Sequence, residues 1–177
     1  MKNKKENTME IQEVINNKDN KEFILKAVKE SGKLLEFASA QLQNDEEVVK
    51  EALKQDGEAL EFVSDNLKNN KEIIMMAIQR APWTICYASE RLKKDRDLIF
   101  TSCKNYGQAL YYASEELRDD REVVKAAVEN KGIIIKYASS RLQNDKELAQ
   151  IAVTQNKQAY HFISEELKQD EDIKQLK

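Results

Sequence analysis

The sequence predicts an all-α protein: a helical repeat array of α-solenoid type, built from six 25-residue helix–turn–helix units and a partial seventh. Three observations carry that prediction. Ser39, Ser64, Ser89, Ser114, Ser139 and Ser164 fall 25 residues apart without a slip, and so do Leu42, Leu67, Leu92, Leu117, Leu142 and Leu167. An aromatic column, Phe37, Phe62, Tyr87, Tyr112, Tyr137 and Phe162, keeps the same period. Four glycines and one proline in 177 residues leave little material for long loops, which favours helix over strand. Residues 1–18 lie outside the pattern and are expected to form a polar segment, or a capping helix, at the amino end. Residues 19–177 form the repeat domain, whose register stops in an incomplete unit from Gln169 to Lys177.

Each unit is expected to open with a capped helix. Asn20, Asp45, Asn70, Asp95, Asp120, Asp145 and Asp170 occupy one column, and such side chains accept a hydrogen bond from an otherwise orphaned N–H of the first turn. Two residues on, Glu22, Glu47, Glu72, Asp97, Glu122, Glu147 and Asp172 set a carboxylate where the helix dipole favours negative charge. Val48, Val49, Ala52 and Leu53 then form an apolar stripe at helical spacing. The helix is expected to stop near Gly57, a residue that tolerates the left-handed conformation common past helix ends. A second helix follows, with Ala59, Leu60, Val63 and Leu67 inward and Phe62 at the margin. Its serine column lets neighbouring helices approach, and the hydroxyl can cap a tighter turn. A break or tightening is expected there.

The consensus Ala-Leu-x-Tyr-Ala-Ser-x-x-Leu-x-x-Asp-x-Glu-Val-Val, best seen from Ala109 to Val124 and continuing to Gly132, resembles a tandem repeat family called domain of unknown function 4116. The resemblance runs over about residues 19–177. It implies a microbial helical repeat with no assigned active site to carry over. Pro82 and Lys157 depart from the pattern in the glycine column, and Ser102 in the alanine column.

Charge and composition narrow the function classes. A net charge of −3 lacks the basic excess of a general polyanion binder. No apolar run approaches the roughly 20 residues of a membrane span, so no membrane association is expected. The start, MKNKKENTMEIQEV, lacks the apolar stretch of a secretion signal. With only Cys86 and Cys103 available, a reduced, cytoplasmic setting is expected, although signal-independent secretion is compatible with the same features. His161 is the single histidine, so neither an H-E-x-x-H nor any paired-histidine metal site can form within one chain. No phosphate-cradling Gly-Lys-Ser/Thr occurs. Catalysis, a metal and a cofactor are therefore not expected.

A residue present in every unit serves folding, so specific function belongs to the columns that vary. The column before Ala59 reads Lys33, Glu58, Trp83, Gln108, Ile133, Gln158, and three residues on it reads Glu36, Glu61, Cys86, Tyr111, Lys136, His161. Trp83, Cys86, Tyr111 and Ile133 are expected on one side of repeats three to five, with Met75, Met76 and Phe100 on another. Aromatic and methionine clusters on a surface mark interaction sites. The expected function is a noncatalytic scaffold or adaptor that binds an unidentified partner protein through this apolar patch. A homodimer contact is the competing use of the same residues. Nucleic acid is a weaker alternative: Lys71, Arg96, Arg121 and Lys146, with Arg118 close by, could form a basic ridge at the turns. Acids in adjacent columns are expected to neutralise that ridge.

Overall fold

Every repeat starts by satisfying the free N–H groups of a helix. The computed structural model describes residues 11–177, and six ten-residue α-helices occur there: α1 (Lys21–Glu30), α2 (Glu46–Gln55), α3 (Lys71–Arg80), α4 (Arg96–Asn105), α5 (Arg121–Asn130) and α6 (Lys146–Gln155). Asp45 Oδ1 accepts from the N–H of Glu47 at 3.1 Å and of Val48 at 3.2 Å, and Asp95 and Asp120 do the same for α4 and α5. The stripe behind each cap is buried: Val48, Val49, Ala52 and Leu53 have no exposure, nor do their equivalents Val123, Val124, Ala127 and Val128. The described residues divide into two compact units, one ending at Ser89 and holding α1–α3, the other running from Glu90 to Lys177 with α4–α6. Residues 11–16 are helical, and Val14 among them is buried. Residues 1–10 of the expected capping segment lie outside the described residues. No β-strand occurs among the described residues.

The second half of each repeat is not the α-helix its apolar spacing suggested. It is a six-residue 3₁₀ helix: Gly32–Phe37, Gly57–Phe62, Pro82–Tyr87, Gly107–Tyr112, Gly132–Tyr137 and Lys157–Phe162. Three residues make one 3₁₀ turn, so positions i and i+3 eclipse. This places Gly57, Leu60 and Val63 on the buried side and sets Glu58 in line with Glu61 toward solvent. The two variable columns are therefore one outward row, in which Trp83 stands in line with Cys86.

The break at the serine column has a nonlocal cause. Val63 is extended (φ −74°, ψ 145°), and the next N–H, that of Ser64, donates to the Gln43 carbonyl of the preceding repeat at 3.1 Å. The same bond joins Ser39 to Lys18 and Ser89 to Lys68 in the first unit, and Ser114 to Lys93, Ser139 to Arg118 and Ser164 to Gln143 in the second. The Ser64 hydroxyl also accepts from the Leu67 N–H at 3.3 Å, capping the short turn Leu67–Asn69, and donates to Asn44 Oδ1 at 2.6 Å. The serine thus stitches one repeat to the previous one and starts the next turn.

The glycine column answers to a different constraint from the one its position suggested. No glycine among the described residues has a positive φ. α2 already ends at Gln55, and an extended Asp56 caps it through its N–H to the Ala52 carbonyl. A Cβ on Gly57 would lie 2.6 Å from the Ala77 carbonyl oxygen of the next helix, and one on Gly132 would lie 2.2 Å from that of Ala152. Glycine is needed because two backbones meet, not because the chain turns left-handed. Lys157, in the same column, sends its ammonium to the Lys177 carbonyl at 3.1 Å.

Candidate interaction surfaces

Helix capping determines the fate of the basic ridge. Lys21, Arg96, Arg121 and Lys146 sit at the first position of their helices, 24 residues before the capping carboxylate of the following repeat. Arg96 Nε donates to Asp120 at 2.7 Å. Arg121 bonds Asp145 at 2.9 Å and also Glu147. Lys146 bonds Asp170 at 2.8 Å and Asp172 at 2.7 Å, and in the first unit Lys21 pairs with Asp45 and Glu47. The Arg96 guanidinium holds Asp120 below the ordinary carboxylate value. Burial pushes Asp145 upward, but the Arg121 hydrogen bond and the helix N–H groups outweigh it and leave the group lowered. Arg118 is spent differently: its guanidinium donates to the Tyr111 carbonyl at 2.6 Å. Lys71 holds the same helix-start position on α3.

In the first unit, Trp83 is 44% exposed beside a cavity of about 190 Å³ shared with Phe62, Tyr87, Glu58 and Glu61. The Lys33 ammonium, ion-paired to Glu58, holds that carboxyl below its usual value, and the Trp83 indole N–H adds a weaker hydrogen bond. Pro82 occupies the first position of this 3₁₀ helix, where its fixed torsion suits the chain direction. Cys86, Met75 and Met76 are half-buried.

In the second unit, Tyr111 is 52% exposed. Its ring meets Tyr112 edge-on at 5.1 Å and Tyr137 at 5.2 Å. These three, with Tyr106 and Gln108, line a cleft of about 200 Å³. The Lys136 ammonium lies 4.8 Å from the centre of the Tyr137 ring, and the Lys93 ammonium 5.9 Å from that of Tyr112. Ile133 is half-buried. Phe100, also half-buried, is flanked by the Arg96 guanidinium at 5.5 Å and the Lys104 ammonium at 4.7 Å, and faces a groove of about 450 Å³ against α5. Of the seven residues expected at an apolar patch, Trp83 and Tyr111 are well exposed and the other five are partly covered.

The other tyrosines of the cleft do not stand out in the sequence. Tyr112 and Tyr137 belong to the repeat's own aromatic column, and Tyr106 lies outside the two variable columns. It stands where the other repeats have Ser31, Asp56, Ala81, Lys131 and Asn156, and that departure was the available signal. Phe162, a member of the aromatic column, is 38% exposed, and Ile15 is 39% exposed. Cys103 is buried, and burial pushes its thiol up to about 12, so it is inert at neutral pH. Among the described residues no three of His, Cys, Asp and Glu are placed to hold a metal ion, and no helix is long and apolar enough to cross a membrane.

Short capped helices, 3₁₀ segments and repeat-to-repeat stitches at one period define a tandem helical repeat protein. The family described as Domain of unknown function (DUF4116) matches residues 20–68, 45–93, 70–118 and 120–168, each match spanning nearly two of the periods counted above. The chain belongs to that family. Neither the curated proteins nor the solved structures compared with the chain provide a match.

Proposed function

We propose that the protein is a noncatalytic scaffold that binds a partner protein through the outward rows of its 3₁₀ helices. Trp83 and Cys86 present that row in the first unit, and Tyr111 and Ile133 in the second. The observation that carries this reading is the exposure of Trp83 and Tyr111, at 44% and 52%, in rows whose other members are mostly Lys, Glu or Gln. Large aromatics left in water on a rigid element are the usual anchors of protein interfaces, and a preformed surface loses little entropy on docking. A cytoplasmic setting suits this role. Self-association through the same rows is the competing use. An RNA-binding ridge is less well supported, because Arg96, Arg121 and Lys146 are bonded to the caps of the next repeat.

The test is quantitative capture from native lysate, comparing wild type with the Trp83→Ala/Tyr111→Ala variant, with and without nuclease. A protein recovered by wild type and lost by a variant of unchanged helix content supports the scaffold. Nuclease-sensitive recovery that survives the double substitution turns the reading to RNA. Loss of helix in the variant would mean that the two rings hold the fold together.

A further inference from the structure

The tyrosine cleft of the second unit differs in chemistry from its surroundings. Four other cavities, of about 190 to 450 Å³, each carry both carboxylates and ammonium or guanidinium groups on their walls. The walls of the fifth are Tyr106, Gln108, Tyr111, Tyr112 and Tyr137, with no charge, in a chain that is 34% charged. At about 200 Å³ the cleft is smaller than the roughly 300 Å³ at which small-molecule sites begin. It is sized for a few side chains of a longer ligand. The phenol hydroxyls of Tyr106, Tyr111 and Tyr137 and the Gln108 amide supply groups that can donate to a ligand carbonyl. Its rings are fixed edge to face, Tyr111 against Tyr112 and Tyr137.

From these walls the geometry points to a proline-rich segment, flanked by acidic residues, as the ligand of this cleft. The inference rests on the scaffold reading and names the class of partner. A proline-rich chain in the polyproline II form has exposed carbonyls and few N–H groups, so it needs donors and offers apolar rings to stack, which is what the cleft supplies. A partner strand would need a sheet edge, and none occurs among the described residues. An amphipathic helix needs anchors over several turns, more than this cleft can seat. Charge at the rim sets the flank. Lys136 leans over the Tyr137 ring at 4.8 Å, Lys93 lies near Tyr112, and the Arg118 guanidinium bonds the Tyr111 carbonyl. Lys93 is paired with Glu90, which leaves Lys136 as the cation to meet a carboxylate.

The experiment uses the full chain and fluorescein-labelled oligoproline peptides ending in aspartates or in lysines, an aspartate-ended glycine–alanine peptide of equal length, and oligouridylate as the nucleic-acid probe. Fluorescence anisotropy is expected to show binding of the aspartate-ended oligoproline, weaker by about tenfold or more for Tyr111→Ala. Lys136→Glu is expected to weaken the aspartate-ended peptide and strengthen the lysine-ended one, while circular dichroism stays that of wild type. Since Tyr111 is half in water and Lys136 exposed, neither substitution disturbs the core. Equal affinity for the glycine–alanine peptide, no binding of either oligoproline, or preference for oligouridylate would each overturn the proposal. Were a captured protein still dependent on Tyr111 while oligoproline failed, this inference alone would fall. Were capture also absent, the scaffold reading would fall with it.

Discussion

A methyl group on Gly57 would stand 2.6 Å from the Ala77 carbonyl oxygen and 3.0 Å from the Ala81 Cβ. In most unstrained positions, Gly→Ala stabilises by about 0.4–1 kcal/mol through the unfolded chain. Here the oxygen belongs to a helix whose own hydrogen bond, from the Ala81 N–H at 2.9 Å, fixes it in place. Gly57→Ala is therefore expected to destabilise by about 1–3 kcal/mol, the range of an overpacked core. Ser102 presents the opposite case. It is fully buried in a column that is otherwise alanine, at Ala27, Ala52, Ala77, Ala127 and Ala152, and its hydroxyl has no hydrogen-bond partner. Ser102→Ala removes the unsatisfied group and raises helix propensity, so a gain of about 1 kcal/mol or more is expected. Urea unfolding of the two variants checks both signs. A stabilised Gly57→Ala would mean that the helices can part at no cost, and a destabilised Ser102→Ala would mean that the hydroxyl has a partner. The aromatic cleft belongs to the same scale. Trp83 and Tyr111 were legible in the sequence because they depart from their columns, whereas Tyr112 and Tyr137 were hidden by conforming to theirs.

At the scale of one element, the capping carboxylate has two functions that substitution can separate. Asp120 closes the first turn of α5 through the N–H groups of Glu122 and Val123, at 3.0 and 3.1 Å, and binds Arg96 at 2.7 Å. Asparagine keeps the cap, as Asn70 does for α3, and loses only the ion pair. Asp120→Asn is expected to cost up to about 1 kcal/mol, because Arg96 is half exposed and such pairs are weak. Asp120→Ala loses the cap as well and is expected to cost about 1 kcal/mol more. Equal costs for the two variants, by thermal unfolding, would show that the cap contributes nothing. These caps and the first helix were readable because both depend on neighbours three or four residues away. The second helix was not, since Leu60, Val63 and Leu67 keep α-helical spacing although Val63 is extended and Leu67 opens a separate turn. What decides is the Ser64 N–H, taken by the Gln43 carbonyl of the previous repeat, and a local pattern carries no trace of that bond.

Because the cap and the ion pair recur in both units, proton uptake acts on the whole molecule together. Asp45, Asp120, Asp145 and Asp170 all lie below the ordinary carboxylate value of 3.8. A carboxyl lowered by folding stabilises in full above its unfolded value, and that contribution disappears as pH falls through the lower, folded values. Melting temperature is therefore expected to change little between about pH 7 and pH 5 and to fall below about pH 4. Protonation also leaves 29 Lys and Arg facing fewer anions, and their repulsion steepens the fall. Asp145 gives the sharper test. Burial alone would raise it, and Arg121 is the strongest influence holding it down. In Arg121→Gln the half-buried carboxyl loses that hold, so its proton binds earlier and stability is lost at a higher pH than in wild type. The comparison is the pH of half-maximal loss in melting temperature for the two proteins, measured at low salt so that the pairs are unscreened. An acid limb that did not move would mean that Arg121 and Asp145 are not coupled. The pairing that neutralises these cations in the structure would then be absent in solution, and the basic side chains would gain support as a nucleic-acid surface.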